Sequence, residues 1–496
     1  MALSSTEIQS KSKKSVKWSL LGEIFAKIAV PLSTMVLARL LTPEIYGIAT
    51  AVTIVVTFCE TVANSGFAKF IIQHDFENHE EYEKYFAVSF YVSLILSFAL
   101  CAIIIIFRYP LSAYVGNSGY EIVLMASSIQ IPFAAVNALF IADLKRRFLF
   151  KKLFLIRIVY SLVPFAVTIP LAFLGMGYWA LVIGTIAGRI IQMPFLIKAS
   201  KEKIKFYFSF FVLKKMLSAS FAMIVESIII WLCSWISTII AANFFDQTTV
   251  GIIKVANSTV DSIFSLFGTA FVAVLFPTLS RLKNDKKAFE ESFFSIQSAA
   301  LSILIPLGVG AYFFANIITT VFLGDGWTEA IFVIAVFSLT KPLLLCFNNF
   351  LSEVFRSKGH FYSSIIYQLI MLVIDVVLRF TVGKQNYSAF IYCTTISNIL
   401  ITIIAIIILK YRYNLSFFKQ STTFLPSIFC SFGMIPLIII KDFFSYAFLQ
   451  SIFQIISCAF LYFIILKLFF PKIFDNIVSY LHFSKKEKQQ IEFDEI

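Results

Sequence analysis

The chain is predicted to be an all-α polytopic membrane protein, with about fourteen transmembrane helices in two pseudo-symmetric six-helix lobes plus two extra helices. Three observations predict this: apolar composition, charged residues near mid-span, and an internal repeat. Hydrophobic residues make up 59% of the chain and charged residues 14%, where a soluble domain carries roughly a quarter charged. The apolar residues gather into stretches of about 20, the length that crosses a bilayer. Lys27, Glu226, Asp261 and Lys341 lie near the centres of such stretches. A charge there costs about 2.5–3.5 kcal/mol even on insertion scales, so it faces a cavity or a partner. Four of them in separate helices point to a shared polar cavity in a transporter.

Taken in order, the expected spans are 17–38, 45–67, 86–107, 121–142, 153–174, 178–197, 217–242, 250–276, 292–322, 327–350, 361–382, 387–409, 424–440 and 446–470. The first follows a basic tail with Lys11, Lys13, Lys14 and Lys17. It contains Glu23 and Lys27 and no small-residue cleavage site, so it reads as an uncleaved span. The ninth is too long for one straight helix and contains Pro306 and Gly310, so a kink or an extension is expected there. No loop is long enough for a separate soluble domain. The organisation reads as an N-lobe over 1–198, a basic linker over 199–216, a C-lobe over 217–412, the last two spans over 413–472 and a tail over 473–496.

The net charge of +13 is unevenly spread. With the N-terminus inside, inner segments hold about 30 Lys and Arg and outer ones about 5, the bias that orients a membrane protein. Both termini are then cytoplasmic. These bases touch anionic lipid headgroups and do not point to nucleic acid. The seven cysteines all fall in expected spans without a CxxC pair, as packing residues. The four histidines, His74, His79, His360 and His482, show no metal-ligand spacing. No Walker motif, catalytic triad or glycosidase carboxylate pair is present, so neither a cofactor nor a catalytic residue is expected.

The internal repeat has an offset of about 204 residues. LLTPEIYGIATA at 40–51 matches FFDQTTVGIIKVAN at 244–257, and in each copy a polar turn leads to a glycine, Gly47 or Gly251. Polar positions then coincide: Thr50 with Lys254, Thr53 with Asn257, Thr57 with Asp261, Thr61 with Ser265, and Asn64 with Gly268. Steps of three and four residues keep them on one helix face. A second echo pairs EEYEKYFAVS at 80–89 with KKAFEESFFS at 286–295. An even number of spans separates the copies, so the repeats are parallel and a cavity is expected between them.

Residues 18–73, above all LARLLTPEIYGIATAVTIVVTFCETVANSGFAKFIIQ, resemble the opening of the Wzx-type polysaccharide-repeat-unit flippases. These belong to the multidrug/oligosaccharidyl-lipid/polysaccharide exporter superfamily. The resemblance implies a bacterial inner-membrane protein that moves a polyprenyl-diphosphate-linked oligosaccharide between leaflets by alternating access, for O-antigen, capsule or exopolysaccharide synthesis. It implies lipid-linked saccharide and membrane lipids as partners, with a polymerase and chain-length machinery as candidates. It also implies basic residues along the cavity, for which Lys27 and Lys254 are the matching positions. A drug antiporter of the same superfamily would be expected to have a more acidic cavity. A polysaccharide polymerase, the enzyme alternative, needs a longer outer loop than any present.

The residues themselves allow two readings at each place. Glu23 and Lys27 are spaced i,i+4 with the acid first, either holding a diphosphate or neutralising each other. Lys254 and Asn257 share a face with Asp261 and Ser265; Lys254 either follows a diphosphate as a point charge or snorkels outward. Asp261 suits an ion-coupling role. Lys341, directly before Pro342, is a substrate contact, a hinge, or a partner of Glu226 or Asp261. Glu226 shares a polar side with Ser220, Ser227 and Ser234. Asp375 and Arg379 read as a structural i,i+4 pair. Arg157 and Arg189 are expected to snorkel to the inner surface or to attract phosphate there.

Overall fold

A computed structural model describes residues 25, 27–29, 31–116, 118–200, 202, 204–439 and 447–478. Among them every regular element is a helix, as backbone immersed in hydrocarbon requires, because it must satisfy its own hydrogen bonds. Twelve of these helices are long and apolar enough to cross a bilayer. They agree with the expected spans except at two places. Residues 17–24, 26 and 30 of the first span lie outside the described residues, and over 424–440 the chain forms two shorter helices, Phe417–Phe432 and Ile435–Ile439.

The helices that position charged side chains are α1 (31–40), α2 (Pro43–Gln73), α3 (His79–Ile106), α4 (Arg108–Tyr114), α5 (Glu121–Arg146), α6 (Phe150–Phe173), α7 (Tyr178–Ser200), α8 (Phe210–Phe244) and α9 (Gln247–Arg281). After these come α10 (Lys286–Phe313), α11 (Ala315–Phe322), α12 (Ala330–Ser357), α13 (Tyr362–Gly383) and α14 (Tyr387–Tyr413). Packing groups residues 1–255 and 322–326 into one unit, and 256–321 with 327–496 into a second.

In the first unit α2 is the central helix, packed most extensively on α8 and α5. The two repeat glycines meet each other. A Cβ on Gly47 would stand 1.8 Å from the Gln247 carbonyl oxygen, and one on Gly251 would stand 1.9 Å from that of Pro43. The starts of α2 and α9 therefore cross backbone on backbone, an approach only glycine permits. The second echo also recurs structurally, as matching N-caps. The Asn78 side chain accepts from the Glu81 amide at 2.8 Å, and the Asp285 side chain from the Lys287 and Ala288 amides at 3.1 Å.

At the other end of α2, Phe67, Phe70, Tyr85, Phe140 and Met216 form an apolar cluster. Arg146 closes the helix by donating to the carbonyls of Ile71 and His74 at 3.1 and 2.6 Å, favourable for a cation at a helix C-terminus. The fully buried Asp143 accepts from Tyr82 and Ser200 at 2.6 Å each and from Arg147 at 2.7 Å.

In the second unit α10 packs against α12 and the 417–432 helix. The expected irregularity of the ninth segment falls at Phe314, where φ −97° and ψ 17° end α10 before the short α11. Pro342 is followed by a π-helical turn over Leu344–Asn349, since the ring removes a ladder bond and frees a carbonyl upstream. Within that turn the Cys346 carbonyl accepts from Gln297 at 3.1 Å.

Candidate functional site

Lys254 is the eighth residue of α9, two turns in, and its ammonium lies 3.9 Å from the centre of the Trp235 ring. Trp235 and Trp231 of α8 pack on Ala51 and Ile54 of α2, and the Trp231 indole N–H donates to Thr57 Oγ1 at 3.1 Å. Thr57 is one of the coincident polar positions of the repeat. The indole face attracts the cation and leaves its positive charge in place. Asn257 is half-buried one turn further along α9. Lys27 is half-buried in the first helix, while Glu23 lies outside the described residues.

Two other intramembrane cations in the first unit are matched by acids. Glu226 pairs with Lys69 at 3.5 Å, and the same ammonium donates to Ser227 at 2.9 Å. Arg189, expected to reach toward the inner surface, instead turns onto Glu60 of α2 at 2.9 Å. Its carbonyl accepts from the buried Asn137 at 3.0 Å. The physical reason is that a carboxylate within reach compensates the guanidinium better than a long path to the headgroups. Glu60 escaped the sequence reading, although the signal was present as an acid inside the apolar stretch 45–67. Arg157 is half-buried on α6, and its carbonyl accepts from Ser161 at 2.5 Å.

In the second unit Lys341 forms an ion pair with Asp261, one of the partners its position allowed. Lys341 is the more buried member. Asp375 and Arg379 form a two-pronged pair at 2.8 and 3.0 Å, with Arg379 also donating to Thr394 Oγ1 at 3.0 Å. The guanidinium is 1% exposed and lies 4.4 Å from the Phe390 ring centre. Such complete satisfaction marks it as structural. At the end of α12, burial and the nearby Lys286 and Lys283 hold the Lys358 ammonium below the ordinary lysine range.

One group approaches metal-ligand geometry. His79, Glu83 and Glu202 offer atoms within 4.8 Å of one another. However, Lys205 lies 2.5 Å from Glu83, and Arg147 pairs with Glu202. The carboxylates are already answered by internal cations, so the cluster is an ion-pair network. The seven cysteines are unbridged, six of them buried.

Cations held on an aromatic face or paired with acids inside apolar helices are the pattern of a multi-pass membrane protein. The chain belongs to the family described as "Polysaccharide biosynthesis protein", whose profile matches residues 36–332. It is 22% identical to the succinoglycan biosynthesis transport protein ExoT of Rhizobium meliloti (strain 1021), over 68% of this chain and 68% of that one. Its fold is similar to that of the lipid II flippase MurJ in an inward closed conformation. The TM-score is 0.78 at 17% identity, covering 92% of this chain and 99% of that chain. An inward-facing MATE family multidrug resistance transporter of the MOP superfamily aligns at TM-score 0.62 and 14% identity, over 79% of this chain and 98% of that chain.

Proposed function

We propose that this protein is an alternating-access flippase, carrying polyprenyl-diphosphate-linked oligosaccharide across the bacterial inner membrane without covalent turnover. The observation that supports it most is the polysaccharide biosynthesis match, which runs through the helices carrying Lys69, Arg189, Glu226 and Lys254. Both termini and the basic loops lie on the cytoplasmic side, in two lobes with two appended spans, and the last two spans stand outside the repeat. Lys254 and Lys27 take the diphosphate as point charges, suited to a moving anion. The Asp261–Lys341 pair is a coupling element whose acid changes partner during transport. A polymerase and chain-length machinery consume the product on the outer side.

Deleting the gene tests this. Lipid-linked repeat units are expected to accumulate on the cytoplasmic leaflet, with surface polymer lost. Units found unpolymerised on the outer leaflet would favour a polymerase instead.

A further inference from the structure

Trp231, Trp235 and Ile239 follow one another at steps of four along α8, so they share one face of it. All three pack against the cluster of Ala51, Ile54 and Val115. Trp231 is held twice more. Its indole N–H donates to Thr57 Oγ1 at 3.1 Å, and its ring centre lies 5.0 Å from that of Phe58. The Thr57 hydroxyl itself donates to the Thr53 carbonyl at 2.7 Å, which leaves its oxygen to accept from the indole. The stripe is thereby fastened to α2. One turn beyond Trp231, Trp235 offers a ring face to Lys254 of α9, whose ammonium stands 3.9 Å from the ring centre. All of these residues lie in the first unit.

Other cations also approach rings: Arg146 lies 4.6 Å from the Phe76 centre, Arg379 4.4 Å from Phe390 and Lys358 4.3 Å from Phe289. Lys254 stands closer than these, and on an indole, the aromatic face that holds a cation best. A lysine ammonium rides on a long flexible stem, so something must fix it if it is to wait in one place. A carboxylate would fix it and cancel its charge, as Glu226 does for Lys69 at 3.5 Å and Glu60 for Arg189 at 2.9 Å. An aromatic face fixes it and leaves the charge, covering one side of a group that carries three N–H donors. A base that meets an anion gains from being held this way, because an ordered side chain loses less freedom on binding.

We propose that Trp235 is a positioning residue for Lys254: the indole holds the ammonium in place, and Trp231 with Thr57 holds the indole. The assignment rests on the flippase reading, in which Lys254 meets the diphosphate of the substrate. It goes beyond that reading by making α2 and α8 part of the setting of the lysine, through side chains that carry no charge.

The test uses the purified full-length protein in detergent, with undecaprenyl diphosphate as probe. Trp235→Leu is expected to weaken binding about tenfold, within what one cation–π contact is worth. Trp235→Phe is expected to weaken it only about threefold, since a phenyl face still attracts a cation. Added to Lys254→Ala, which weakens binding by itself, Trp235→Leu is expected to cost nothing further, the mark of a residue that acts through the lysine. Should Trp235→Leu fail to fold, fluorinated tryptophans at position 235 keep the shape and weaken the negative ring face. Affinity is then expected to fall with each added fluorine. The proposal is overturned if fluorination leaves affinity unchanged, or if Trp235→Leu costs as much without Lys254 as with it. It is also overturned if Lys254→Ala binds the probe as tightly as the unaltered protein. Accumulation of lipid-linked saccharide in deletion cells judges the flippase reading separately. Without it, a coupling measured on the purified protein leaves the positioning role standing and the flippase reading fallen. With it, an absent coupling removes the positioning role and leaves the flippase reading intact.

Discussion

At the residue scale, the intramembrane charges divide by how each is satisfied. Lys254 rests on an indole 3.9 Å away, which stabilises a cation by roughly 0.5–2 kcal/mol and neutralises nothing. Lys254→Ala is therefore expected to remove most transport at normal abundance, and Lys254→Arg to retain more, measured as surface polymer per unit of protein. Lys341 and Asp261 form a pair in which the lysine is 18% and the acid 47% exposed. Removing either partner leaves the other charge uncompensated, at a cost below the about 3–5 kcal/mol of a fully buried pair because the acid reaches solvent. Lys341→Ala is expected to lower protein level, and Lys341→Ala with Asp261→Ala to recover it. Equal levels in the single and double variants would mean that the pair does not couple the two helices. Asp375→Asn should destabilise by a similar amount and leave substrate handling alone, since Arg379 is otherwise bonded to Thr394. A thermal melt beside a transport assay separates the two effects.

At the element scale, the crossing of α2 and α9 depends on two glycines. A methyl on Gly47 or Gly251 meets a carbonyl oxygen below 2 Å, a contact that backbone must move to relieve. Gly47→Ala and Gly251→Ala are each expected to abolish folding or to hold the helices apart, read as loss of protein or of transport. Gly310 is the control. It sits in α10 with nothing within 4 Å of an added Cβ, so Gly310→Ala should be neutral or mildly stabilising, because alanine favours helix by about 1 kcal/mol. The sequence had already marked Gly47 and Gly251 as corresponding positions opening corresponding helices. That they touch each other is a packing fact, invisible to a comparison of one copy with the other.

At the scale of the whole molecule, orientation follows from the uneven spread of Lys and Arg. On the proposed orientation, with both termini cytoplasmic, cysteines placed at positions 151, 203 and 283 of a cysteine-free chain are expected to react with an impermeant reagent only from the inner side. Labelling of any of them from outside would invert the topology. The family match over 36–332 and the fold shared with two solved membrane proteins at 17% and 14% identity show that this helical arrangement persists while its side chains diverge.

The sequence by itself determined the spans, since hydrophobic length is a local property fixed by bilayer thickness. It also determined the repeat, the Asp375–Arg379 pair four residues apart, and the family through 18–73. Tertiary structure alone decided which distant charges meet. Nothing local in 45–67 says that Glu60 will face Arg189, or that Lys69 will face Glu226 across 157 positions. Nor does the pattern of α8 show which of its two apolar faces the α2 cluster covers and which remains exposed. Both faces read alike in sequence because lipid and protein interior are equally apolar. Only packing tells a lipid-facing phenylalanine from a buried one.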